Sequence, residues 1–175
     1  MNLKTRTRTT VQNGSDDELE KLVSEEPRTV RFALGLTYHE ERGIRARAAR
    51  AVALASRHHP ALVQSVIRRI VWAMNDESGT NAATAPEVLQ AIADEMPELL
   101  VPVIPDLVRL SADPELCEGL AAALRTVSRR CPGEIGQQLA ESLNDGTRSE
   151  ASPYRRAAAR RLAVPTRPPL LSRRR

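Results

Sequence analysis

Aromatic side chains are almost missing: the 175 residues hold only Phe32, Tyr38, Trp72 and Tyr154. A core built without them must be closed by Ala, Leu, Val and Ile, which suits helices that approach one another closely. Cysteine is equally scarce, with Cys117 and Cys131 alone. The stretch between them looks helical, and at about 1.5 Å per residue it sets them roughly 21 Å apart, beyond the reach of a disulfide. There is no Cys-x-x-Cys and no His-Glu-x-x-His, so neither a zinc site nor any other cofactor is expected. No apolar run approaches the roughly 18 residues that a membrane span requires. Met1-Asn2-Leu3-Lys4-Thr5-Arg6 also lacks the apolar stretch of a signal peptide. No membrane association is expected, and the reading is a soluble, cytoplasmic protein. With no catalytic constellation in view, a non-enzyme is the first expectation.

What is present is charge, unevenly placed. The net charge is +4, yet residues 144–175 hold nine Arg against Asp145 and Glu150, and residues 1–14 add three cations without an acid. Residues 15–143 carry fourteen basic against twenty acidic side chains. A sequence pI of about 9.7 therefore describes the ends and not the body. Residues 1–14, basic and Thr-rich with no apolar period, are expected to be a disordered N-terminus. The basic segment 165–175 is expected to be a loose tail. One folded domain over 15–164 lies between them.

Ser15-Asp16-Asp17-Glu18 is a capping box that predicts a short helix with Leu19, Leu22 and Val23 on its buried side. From there the prolines act as a ruler. Pro27, Pro60, Pro97, Pro132 and Pro165 fall 33, 37, 35 and 33 residues apart. A period in the thirties is that of stacked helix pairs, and proline suits the first turn of a helix. Second helices are predicted over Gly43–Arg57, Thr84–Glu95, Pro114–Arg130 and Ser152–Val164. Pro102 and Pro105 predict a kink within Pro97–Leu110. The fold class is all-α, an α-solenoid of about four stacked helix pairs.

The clearest amphipathic helix has Leu62, Val63, Val66, Ile67, Ile70, Val71 and Met74 at helical spacing, with Arg68 and Arg69 on its other side. It runs into a polar, small-residue stretch from Asn75 to Thr84 before Ala85-Pro86-Glu87 restarts a helix. An enlarged loop between packed helices is a natural place for function.

Ile44-Arg45-Ala46-Arg47-Ala48-Ala49-Arg50-Ala51-Val52 resembles the second helix of HEAT-type repeats of the phycobilin-lyase-like class. Trp72-Ala73-Met74-Asn75-Asp76-Glu77-Ser78-Gly79, followed by Ala85-Pro86-Glu87, resembles a group of prokaryotic HEAT-repeat proteins that carry a Trp-x-x-Asn-Asp-Glu-Ser-Gly segment before a Pro-Glu helix. The resemblance covers roughly residues 15–146. It departs at Ala82-Ala83-Thr84, where those proteins have a Gly-Trp-Gly-like stretch. It implies an α-solenoid scaffold and no particular reaction.

Asp76 and Glu77, with Asn75 and Ser78, offer oxygen ligands to a cation or an acid and a base. Asp113 and Asn144-Asp145 recur at the same place in neighbouring units, so turn and capping chemistry explains Asn75-Asp76 more simply. Glu77-Ser78 is what repetition leaves unexplained. Trp72 offers a stacking surface, but its place between Val71 and Met74 predicts partial burial against a neighbouring helix. His58-His59 fall at a helix end, where a cation suits the dipole. Arg45, Arg47, Arg50 and Arg57, with Arg68 and Arg69, offer a basic surface to phosphate or to an acidic partner; the plainer reading is solvated charge. Two function classes follow. The first is a non-enzymatic scaffold for protein–protein interaction. The second is a nucleic-acid-binding protein, of the DNA glycosylase type or drawn to polyanions through its basic C-terminal segment.

Overall fold

Glu26, His59, Met96 and Cys131 each stand immediately before a proline, and each ends a helix in the same way. The backbone N–H of each donates to the carbonyl four residues back, at 3.0, 2.8, 2.8 and 2.8 Å respectively. Its own ψ then swings to between 58 and 84°. The ring of the following proline excludes the helical conformation from the residue before it, so the helix stops and the chain turns. This is the proline period of the sequence made physical.

The computed structural model describes residues 1–75 and 84–133. In chain order the helices are α1 (Leu3–Asn13), α2 (Asp16–Glu25), α3 (Thr29–Leu36), α4 (Arg42–His58), α5 (Pro60–Asn75), α6 (Ala85–Glu95), α7 (Ile104–Leu110) and α8 (Cys117–Arg130). No strand occurs among the described residues. The capping box at α2 forms as expected, with Ser15 Oγ accepting from the Glu18 N–H at 3.2 Å and Glu18 Oε2 accepting from the Ser15 N–H at 2.8 Å. Pro97–Val103 is a 3-10 segment ahead of α7. Pro102 and Pro105 remove two donors there, and the tighter helix is the form the predicted kink takes.

Residues 1–14 depart from the sequence reading. Asn2 caps α1 by accepting from the Thr5 N–H at 2.8 Å, and Thr7 and Val11, one turn apart, are fully buried. The helix is held by tertiary packing on a single narrow stripe, which composition cannot reveal.

α2, α4, α6 and α8 lie side by side, α4 between α2 and α6, and α6 between α4 and α8. α1 packs on α3, α3 and α5 pack on α4, and α7 packs on both α5 and α8. α4 is the centre of this arrangement. Ala48, Ala49, Ala51, Val52, Ala53, Leu54 and Ala55 are all buried, and their small side chains let neighbours close in around most of its circumference. α6 and α8 approach just as closely at Gly119: a Cβ there would overlap the Cβ of Pro86. No disulfide joins Cys117 and Cys131, which stand at opposite ends of α8.

Candidate interaction surface

The arginines of α4 turn out to be fastenings. Arg47 Nε donates to the Val11 carbonyl at 2.7 Å and its Nη2 to the Gly14 carbonyl at 2.5 Å, while Nη1 reaches Asp16 Oδ1 at 3.4 Å. It thereby satisfies carbonyls at the end of α1 and ties them to α4. Arg45 Nη1 donates to the carbonyls of His39 and Glu40 at 3.1 and 2.8 Å, and its Nε lies 3.7 Å from Glu87 of α6. Arg50 bridges Asp16, at 3.6 Å, and the carboxylate of Glu95. Arg57 shares that Glu95 and donates to both carboxylate oxygens of Glu20 at 3.1 Å. The Glu95 side chain, only 7% exposed, is thus held between two guanidinium groups.

The hydrogen bond from Arg57, and after it that from His58, draws the Glu20 carboxyl below its ordinary value of 4.5 against a small opposing effect of burial. The bonds to Glu20 and then Glu95 raise the Arg57 guanidinium in return. His58 Nε2 lies 3.2 Å from Glu20 Oε1 and His59 Nε2 lies 3.1 Å from the Ser24 carbonyl. Both rings therefore reach across to α2 and its C-terminal end. Arg45, Arg47 and Arg50 lie on one helix as the sequence indicates, but each is occupied by the protein itself.

α5 is different. No Asp or Glu occurs anywhere between Arg42 and Asn75, and α5 packs against α4, the 3-10 segment and α7, with Val63, Val66, Ile67, Val71 and Met74 buried. Its other face carries Leu62, Ser65, Arg68, Arg69 and Trp72, all exposed. Trp72 is 69% exposed, which corrects the expectation of partial burial. It lies nine positions after Val63, about two and a half turns, and so points away from the packed side. Leu62, expected in the buried stripe, is likewise at the surface. Arg68 and Arg69 precede Trp72 by four and three residues, so the three side chains share one patch. No ion pair or side-chain hydrogen bond engages either arginine among the described residues.

No protein-family model, curated protein or solved structure matches this chain. What it can do must be read from the surface just described.

Asp76, Glu77 and Ser78 lie outside the described residues, as do residues 79–83, the predicted helix Ser152–Val164 and the arginines beyond residue 133. Their described neighbour Asn75 donates its side-chain N–H to the Val71 carbonyl at 2.8 Å. In the corresponding turn before α8, Asp113 Oδ1 accepts from the Glu115 N–H at 2.8 Å. Such bonds are turn and helix-end chemistry. Among the described residues no group of His, Cys, Asp and Glu could hold a metal ion, and no helix is long and apolar enough to cross a membrane. A groove of about 410 Å³ lies between α1 and α2. Its cations Arg6 and Lys21 already face Glu25, at 3.7 and 4.0 Å. The exposed Trp72–Arg68–Arg69 patch joins the only tryptophan of the chain to two cations that no described residue engages.

Proposed function

We propose that the chain is a HEAT-type α-solenoid that works as a non-enzymatic protein-interaction module, docking a partner protein on the outward face of α5. The repeated proline stops and the side-by-side order of α2, α4, α6 and α8 support the solenoid reading. One observation carries the functional reading: the only tryptophan of the chain stands 69% exposed beside two arginines that no described residue engages. Exposed Trp and Arg are the residue types that dominate protein–protein binding energy. A photo-crosslinking amino acid at position 72, in the full chain in cells, should give a discrete protein adduct. The same group at the exposed position 125, on α8, should not. Equal labelling at both positions, or none at 72, would defeat the reading.

A nucleic-acid partner is the second reading, motivated by the nine arginines of residues 144–175. Duplex binding that survives removal of residues 148–175 would favour it; binding lost with them is general polyanion attraction.

A further inference from the structure

We infer that the segment docked on α5 is acidic and partly apolar, and belongs to another protein; the inference rests on α5 being the interaction surface. The charge arrangement is what points there. α4 sends Arg45, Arg47, Arg50 and Arg57 to Glu87, Asp16, Glu95 and Glu20, so these four arginines are spent within the fold. α5 has no acid of its own, and Arg68 and Arg69 are exposed with no ion-pair partner among the described residues. A guanidinium pair is satisfied by carboxylates, which it grips through two parallel hydrogen bonds. The ring beside it takes an apolar or aromatic side chain, and an arginine can lie on that ring.

Leu62 extends the apolar part of the patch. From Leu62 to Trp72 is ten residues of helix, about 15 Å, which matches roughly five residues of extended chain. A short linear segment with one or two carboxylates flanked by apolar side chains fits that length. A nucleic acid fits less well. The described residues hold seventeen basic and sixteen acidic side chains, so the body has no surplus positive field to follow a phosphate backbone.

The test is selection of peptides from an unbiased displayed library on the full chain. Each winner is then titrated at near-physiological salt by the fluorescence of Trp72, the only tryptophan present. Winners rich in Asp and Glu with an apolar neighbour are expected. Trp72→Ala and Arg68→Glu with Arg69→Glu should each weaken them at least about tenfold, as for central interface residues, read for Trp72→Ala by peptide anisotropy. The charge-reversed chain should select Lys- and Arg-rich peptides instead. Should charge reversal lower the melting temperature, Arg68→Gln with Arg69→Gln replaces it and must still weaken the acidic winners.

Winners that need Trp72 but show no acidic bias and ignore charge reversal would overturn the acidic partner while leaving α5 as the docking face. Displacement of the winners by single-stranded oligothymidylate at lower concentration than by acidic peptide would overturn it in favour of nucleic acid. Winners indifferent to every change on α5, including acidic ones caught by the arginine-rich end, or no winners at all, would overturn both the inference and the docking face.

Discussion

Trp72 inverts the usual relation between size and burial: the largest side chain in the protein contributes little to its core. Trp72→Ala is therefore expected to change the free energy of unfolding by less than about 0.5 kcal/mol, the range of exposed substitutions, against the roughly 3 kcal/mol that a buried ring would cost. Urea unfolding followed by circular dichroism measures the difference. Gly119 is the opposite case. Its missing side chain is where α6 and α8 touch, and a methyl group there meets the ring of Pro86, which cannot rotate away. Gly119→Ala should destabilise by about 1 to 3 kcal/mol through overpacking, although alanine favours a helix more than glycine does. A chain that gained stability would show that the two helices are free to separate.

The orientation of Trp72 was legible in the sequence in principle, because position 72 is half a turn out of phase with Val63 while Arg68 and Arg69 mark the wet side. The neighbouring apolar residues Val71 and Met74 obscured it. The fate of Arg45, Arg47 and Arg50 was not legible. Their partners lie 31 to 45 residues away for the side-chain acids, and only the packing of α4 between α2 and α6 brings them together.

At the scale of elements, the joints between helices are electrostatic as well as apolar. Glu20 of α2 is held by Arg57 and His58 of α4, and its carboxyl is drawn below 4.5 in the folded protein. A depressed carboxyl favours the folded state at pH above the unfolded value, and the benefit is lost as pH falls through the folded value. The stability advantage of the wild type over Glu20→Gln should be constant near neutrality, shrink below about pH 4.5 and vanish in stronger acid. Melting temperatures across that range give the comparison. An advantage that grew on acidification would contradict the assignment.

α1 makes a second case. Its basic, Thr-rich sequence reads as disorder because only Thr7 and Val11 face inward, too few to give a periodic signal. Yet Val11 is fully buried, and the carbonyls of Val11 and Gly14 receive Arg47. Removing residues 1–14 should cost at least about 2 kcal/mol, the worth of one buried aliphatic side chain. A tail without structure would be removed at no cost. The helix stops, by contrast, could be read directly, since a proline constrains the residue before it whatever the surroundings.

Across the whole molecule, two sets of arginines on adjacent helices do different work. Those of α4 are turned onto neighbouring helices and hold them together. Those of α5 are exposed beside an exposed ring and meet no acid among the described residues. The all-helical class and the placing of most helices were written in the periodicity. The division between the arginines of α4 and those of α5 required the assembled helices, because it depends on which acids each helix meets. Urea unfolding of two double variants, Arg47→Ala with Arg50→Ala and Arg68→Ala with Arg69→Ala, tests that division most directly. The first pair should lower the free energy of unfolding by about 2 to 3 kcal/mol, as loss of charge-assisted hydrogen bonds to partly buried carbonyls and carboxylates does. The second should leave it within about 0.5 kcal/mol of the wild type. Equal losses from both pairs, or a larger loss from the α5 pair, would contradict the assignment of α5 as a surface held open for a partner.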